Sequence, residues 1–266
     1  MTTHFGVGMV KPEEFKEKNF YTESTVYDVE KDKSSDIALL ADGFFDKNMV
    51  MKKKERRFDK AVYESFMLDF WNNLLDLYTK ETGTNFLAPE SKDILYDFDT
   101  RESLLVMEQM PGKALKKVSN GKEFNYFEPL DMELQKADAI SYMVGGINKI
   151  KESEMLVHGD YDARHILFYR NPETNDHSLS VIDVENSRLE KDLENVYKET
   201  ITMEEELDKH LPSRQEYFYD KGYQEVESLY CREDIIEQTQ KMFNEKYKKE
   251  GKPLVKVDPF KKEVEY

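Results

Sequence analysis

The sequence runs to 266 residues with a net charge of −16, from 55 Asp and Glu against 39 Lys and Arg, a field that repels nucleic-acid phosphates and argues against DNA or RNA as a partner. Its 39% hydrophobic content, with 16 Phe, 16 Tyr and 12 Met, suffices for a core in one large domain or two small lobes despite 35% charged residues. One cysteine, Cys231, excludes an intrachain disulfide and a cysteine zinc cluster; with no signal-like N-terminus and no run of roughly 18 apolar residues, the expectation is a cytoplasmic protein that does not enter a membrane.

Residues 1–20 carry little pattern, and their Gly6-Val7-Gly8 lacks the strand, helix and third glycine of a dinucleotide fingerprint. Three short strands follow: ESTVYDVE after Thr22, DIALLA before an Asp42-Gly43 turn, and a segment beginning NMVMKKK. Residues 58–80 repeat apolar side chains at helical spacing, and Gly83 stands where that helix should stop. Met67, Leu68, Trp71, Leu75 and Tyr78 form one stripe with Glu64 in its middle, while Ser65, Asp69, Asn72, Asn73 and Asp76 occupy the opposite arc. A carboxylate on a buried stripe is costly unless paired, so Glu64 either meets a cation on the facing element or sits near the helix start and reaches water.

SLLVMEQM at 103–110 reads as a strand stopped by Pro111-Gly112. Asp131 suits the N-cap of a helix to about 151, with Leu134, Ala137, Ile140, Val144, Ile147 and Ile150 on its apolar face. Gly145 and Gly146 inside it cost roughly 1 kcal/mol each relative to alanine, which implies a close packing neighbour. The stretches 189–210, 213–222 and 232–250 read as charged helices.

The chemistry-bearing stretch is VHGDYDARHILF at 157–168, followed by SVIDVENSR at 180–188. It reads as a polar loop, a strand, a turn through Asn171-Pro172 and a second strand ending in Asp183. A hairpin sets the end of its second strand beside the start of its first, so Asp160 and Asp183 can share one cleft. Two carboxylates there would supply hard oxygen ligands for magnesium and a base for an incoming hydroxyl; the plainer alternative is two ordinary loop aspartates.

HGDYDARHIL resembles the HGDxxxxN catalytic loop of aminoglycoside phosphotransferases and related small-molecule kinases, and VIDVE resembles their form of the metal-binding kinase segment. LLVMEQMPGKAL is similar to the hinge between kinase lobes, VMK at 50–52 to the end of a third strand, and the helix bearing Glu64 to the kinase C-helix. The order covers roughly residues 22–190. The implied fold class is α+β, bilobal and protein-kinase-like: residues 1–20 as an extension, 21–110 as a nucleotide-binding lobe with a small antiparallel sheet, and 111–266 as a mainly helical lobe with the catalytic loop and acceptor site.

The resemblance implies a transferase that moves the γ-phosphate of ATP, with magnesium or manganese, to a hydroxyl. Asp160 would receive or orient the hydroxyl proton, and Asp183 would hold the cation. Lys52 would contact the α- and β-phosphates and pair with Glu64, although a register slip would nominate Lys54. Backbone groups of Glu108, Gln109 and Met110 would bind the adenine edge beside Met107, and His158 would brace the loop. Glu185 is either a second metal ligand or a solvated carboxylate. Ser34 and Ser35, where protein kinases carry a glycine-rich loop, either offer groups to phosphate or form a polar turn.

His165 departs from the pattern by replacing a metal-binding asparagine, so the second metal position either accepts imidazole or marks lost transfer activity. Three readings follow: a small-molecule kinase, an atypical RIO-like protein kinase, and a nucleotide-binding pseudokinase. The acidic helices after about 190 suit a cationic acceptor such as an amine, and equally a solvated surface.

Overall fold

A computed structural model describes residues 37–40, 49–55, 58–97, 102–119, 122–125, 134–210, 215–249 and 254–266. The 22–30 strand, the Asp42-Gly43 turn, Ser34, Ser35 and the Asp131 cap lie outside the described residues. In chain order the elements are β1 (Ile37–Leu40), β2 (Met49–Glu55), α1 (Phe58–Thr82), β3 (Asn85–Leu87), β4 (Ser91–Asp97), β5 (Glu102–Glu108), β6 (Lys113–Ala114), β7 (Lys116–Ser119) and β8 (Lys122–Asn125). Then come α2 (Leu134–Ser153), β9 (Leu156–Val157), β10 (Ile166–Arg170), β11 (His177–Val181), β12 (Arg188–Leu189), α3 (Glu194–His210), α4 (Gln215–Glu225), α5 (Arg232–Lys249), β13 (Lys256–Asp258) and β14 (Glu263–Glu265).

Contacts divide the chain into two units, one of Met1–Phe70, Pro89–Gln109 and Ile236–Tyr266, the other of Trp71–Ala88 and Met110–Ile235. Neither is one continuous stretch, so the units differ from a simple cut near residue 110: 71–88 clusters with the later chain and 236–266 with the earlier.

The first unit holds an antiparallel sheet in the order β1-β2-β5-β4. Its part of α1 is buried more completely than one apolar stripe requires, since Phe66 and Phe70 on the other arc are also fully covered. The reason is α5, whose Phe243 meets Phe66 edge to face at 5.8 Å. A helix apolar on both arcs needs such a second partner. The last residues continue this covering. Val257 N–H donates to Gln240 Oε1 at 2.9 Å, and Val255 N–H to Asn244 Oδ1 at 3.0 Å, tying the β13-β14 hairpin to α5. Tyr266 donates to Asp59 Oδ1 at 2.5 Å and stacks on Phe58, so residues 254–266 also pack on the start of α1.

The second unit is built on α2, α3 and α4 with a sheet in the order β3-β11-β10-β6. The glycine expected to mark a close neighbour does so: a Cβ on Gly145 would lie 2.2 Å from the Tyr219 carbonyl oxygen of α4, and one on Gly222 only 1.9 Å from that of Tyr142. The two helix backbones therefore touch where only hydrogen fits. Gly83, at φ 72°, ends α1 with its N–H on the Thr79 carbonyl at 2.9 Å. No described helix is long and apolar enough to cross a membrane.

Candidate active site

In the second unit the loop before β10 is set by the β10-β11 hairpin. Ile166 pairs with Val181, and one step further out Ile182 N–H donates to the His165 carbonyl at 2.9 Å. That bond extends the ladder to its rim, so Asp160, His165 and Asp183 gather at one end of the hairpin. Asp183 takes a left-handed backbone, φ 58° and ψ 49°, a conformation in which aspartate is enriched but which a strand would not adopt. The chain turns there into a single helical turn, Val184–Asn186, carrying Glu185. A Glu185 carboxylate oxygen lies within 4.8 Å of one on Asp183.

His165 spans the two aspartates. Its Nδ1 is 2.8 Å from the Asp160 carbonyl oxygen and 3.7 Å from Asp160 Oδ2; its Nε2 is 3.4 Å from Asp183 Oδ2. A carbonyl only accepts, so Nδ1 carries the proton and Nε2 presents a lone pair toward the Asp183 carboxylate. Two electron-rich atoms facing each other 3.4 Å apart form a donor pair that a cation between them would satisfy. The chemistry of this set therefore fits a divalent metal.

His158 is fully buried. Burial pushes its imidazole down to about 4, with neighbouring His165 and Lys151 acting in the same direction, so it is neutral at pH 7. Nε2–H donates to the Ile182 carbonyl at 2.8 Å and Nδ1 receives the Asp160 N–H at 3.4 Å. Both ring nitrogens are thus engaged in bracing the loop. Trp71 Nε1–H donates to Ser187 Oγ at 3.1 Å, and Ser187 Oγ–H to the His158 carbonyl at 3.2 Å. Gly159, at φ 88°, passes so close to Asn186 that a Cβ would lie 2.4 Å from its carbonyl oxygen.

Two residues not singled out in the sequence hold this loop from below. Glu199 of α3 accepts the His158 N–H at 2.9 Å and the Gly159 N–H at 2.6 Å, and the fully buried Lys151 ammonium at 2.8 Å. Lys151 Nζ also stands 3.3 Å over the Tyr161 ring, a cation–π contact. Burial drives the Lys151 amine down to about 8, opposed by Glu199. For Glu199 burial raises the carboxyl, but Lys151 and the two loop N–H groups outweigh it and leave it below the usual range. Lys151 falls on the α2 stripe through Val144 and Ile147, the same signal that picked out Glu64; Glu199 is one of many carboxylates in its segment and carried none.

Arg164 sits on Asp162, its Nε 2.9 Å from Oδ1, and only at 3.9 Å from Asp160. Asp160 is half exposed, as a group that meets a second molecule must be.

In the first unit, Lys52 of β2 stands opposite Leu105 of β5 and donates to Glu64 Oε1 of α1 at 3.1 Å, with both side chains buried. The strand register therefore brings Lys52 to Glu64. Met107 is buried near the end of β5 and Gln109 is partly exposed. The Glu108 N–H donates to the Glu90 carbonyl at 3.0 Å, which leaves no N–H on that residue for a nucleotide edge. Met110, in the second unit, is buried.

No family model and no curated protein matches the sequence. Among solved structures the chain is similar to WaaP in complex with acyl carrier protein, at 15% identity and a TM-score of 0.45, over 88% of this chain and 92% of that one. It is also similar to the PK-1 kinase of Cydia pomonella granulovirus, at 18% identity and a TM-score of 0.39, over 65% and 56% of the two chains. A third is the Rio2 kinase of Chaetomium thermophilum in an ADP/Mg2+-phosphoaspartate complex, at 14% identity and a TM-score of 0.41, over 85% and 74%. These likenesses concern fold alone, and the α+β architecture, with a small antiparallel sheet and a set of helices, is of the protein-kinase-like kind.

Proposed function

We propose that this chain is an ATP-dependent phosphotransferase that moves the γ-phosphate to a hydroxyl of a small molecule. The observation that carries the reading is the imidazole of His165, which joins the Asp160 loop to the Asp183 carboxylate at the hairpin rim. In this reading Asp160 takes the hydroxyl proton as the acceptor oxygen bonds to the γ-phosphorus, and the bond to the bridging oxygen breaks to release ADP. Asp183, with His165 and Glu185 beside it, holds a divalent cation, magnesium or manganese. Such a cation, when bound, neutralises charge on the nucleotide phosphates. Lys52, held by Glu64, contacts the α- and β-phosphates, with Ser34 and Ser35 toward the phosphates as well. Met107 lines the adenine pocket, whose polar edge is met by the backbone of Glu108, Gln109 and Met110. His158, neutral and bonded at both nitrogens, orients the loop and carries no proton.

A small-molecule acceptor is favoured by the HGD form of the loop and by the VIDVE segment. ATP with magnesium should raise the melting temperature of the wild type by mass action. Asp183→Asn should remove the cation-dependent part of that shift. Asp160→Asn should retain nucleotide binding and lose about 10²–10⁴-fold in turnover. A wild type unmoved by millimolar ATP overturns the reading, and equal loss of binding in both variants overturns the division of roles. Phosphate transfer with metabolites, with proteins and with no acceptor then identifies the acceptor class.

A further inference from the structure

We propose that the Nε2 atom of His165 is a direct ligand of the cation on Asp183, so that the site selects a borderline transition ion, such as ferrous iron, cobalt or zinc, over magnesium. The inference deepens the phosphotransferase reading and rests on it for assigning Asp183 to the cation. Three observations on this chain carry it.

The first is the proton. The bond from Nδ1–H to the Asp160 carbonyl at 2.8 Å fixes the tautomer and turns Nε2 outward as an acceptor. A metal-bound histidine is held in this way, with its other ring N–H on a backbone carbonyl that orients the ring and raises its basicity. The second is the spacing. Nε2 and Asp183 Oδ2 stand 3.4 Å apart, beyond the roughly 2.7–3.2 Å of an ordinary N–H···O bond. Two donors about 2.1 Å from one ion, at angles between octahedral and tetrahedral, stand roughly 3.0–3.4 Å apart. The third is rigidity. The His165 side chain is only 14% exposed, its ring is stacked against the buried His158, and its carbonyl is tied to Ile182. Neither donor can swing away without breaking the hairpin rim.

Magnesium demands oxygen and gives up water reluctantly, whereas an imidazole nitrogen adds affinity along the series from manganese through iron and cobalt to copper. A nitrogen where the related loops carry an amide oxygen therefore shifts the preference. The shift comes from this chain's own side chain.

The test uses the full chain, freed of metal with a chelator and titrated with cobalt(II) chloride in the absence of nucleotide. Proton NMR should show one strongly shifted exchangeable resonance, the Nδ1–H of a cobalt-bound imidazole, slowed by its bond to Asp160 and lost in D2O. It should persist in His177→Gln, at the far end of the hairpin, and vanish in His165→Asn and His165→Gln. In those variants cobalt affinity should fall at least about tenfold, with magnesium affinity, by competition, changing much less. A wild type without the resonance overturns the inference, as does its survival in the His165 variants or an equal loss for both ions. Should the variants not fold, the wild type labelled with 15N-histidine decides, since the shifted proton must show splitting from the label. The thermal shift with ATP and magnesium is read separately. A cobalt resonance without an ATP shift keeps the inference and sinks the phosphotransferase reading; an ATP shift without the resonance does the reverse.

Discussion

Among the described residues each unit contains a buried lysine–glutamate pair, and the two are wired differently. Lys52 and Glu64 join a strand to a helix at 3.1 Å. Lys151 and Glu199 join two helices at 2.8 Å, and the same carboxylate also receives two loop N–H groups. The difference teaches what a buried ion pair is for. Its own net contribution is small, because desolvation offsets most of the attraction. Its effect lies in what else it holds: for Glu199, the backbone of the loop that carries Asp160.

The comparison breaks most sharply on a single residue. Glu199→Ala should lose about 3–5 kcal/mol of stability, since it strands a buried ammonium and two N–H groups at once. Urea unfolding measures the loss, and hydrogen exchange should show His158 and Gly159 losing protection first. A loss under about 1 kcal/mol would mean that Glu199 is not the support described. Replacing both partners sharpens the contrast. Lys151→Met with Glu199→Leu should still cost about 2–4 kcal/mol because the loop amides lose their acceptor, whereas Lys52→Met with Glu64→Leu should change stability by no more than about 1 kcal/mol. The second double variant should nevertheless lose phosphotransfer by orders of magnitude, so stability and turnover separate in one unit and move together in the other.

The smallest effects are in pH. In the first unit burial pushes the Asp69 carboxyl up to about 7, against the opposing pull of Lys246 and the Ser91 N–H. Its stabilising contribution is full below its unfolded value near 3.8 and is lost as pH rises through about 7. Lys151 is displaced the other way, so its contribution is present above its unfolded value of 10.5 and lost as pH falls through about 8. Each should amount to roughly 1–2 kcal/mol once solvent screening is allowed for. Asp69→Asn should flatten the acid limb of the stability profile in the first unit and Lys151→Met the alkaline limb in the second, read by hydrogen exchange at amides of each.

Much of this organisation was legible in the sequence, because it followed from periodicity and from charge out of place. Glu64 on an apolar stripe demanded a cation, and strand parity brought Lys52 to it. The hairpin through Asn171-Pro172 set Asp183 beside the loop of Asp160, as the order of strands required. Elements without such a signal escaped. β4, with one side chain displaced by a bulge between Ser91 and Asp93, does not alternate cleanly, and β13-β14 is too short to show a period. The second arc of α1 was hidden for another reason: Phe66 and Phe70 are buried by a helix more than 160 residues later, and no local window contains that partner. Glu199 was invisible because a carboxylate that caps backbone N–H groups has no partner residue type to betray it.

The discontinuous first unit has a consequence for the order in which the protein forms on the ribosome. The second unit holds all its residues once the chain has reached Ile235, and its α2–α4 backbone contact can then close. The first unit began earlier but waits for Phe243, Val257 and Tyr266 to cover α1. Until they emerge, the apolar arc at Phe66 and Phe70 has no cover from α5, a surface for chaperones to hold. Nascent chains stalled past residue 235 should therefore resist protease across the second unit while the start of α1 is still cut, and the protein should gain its nucleotide site last, from its final thirty or so residues.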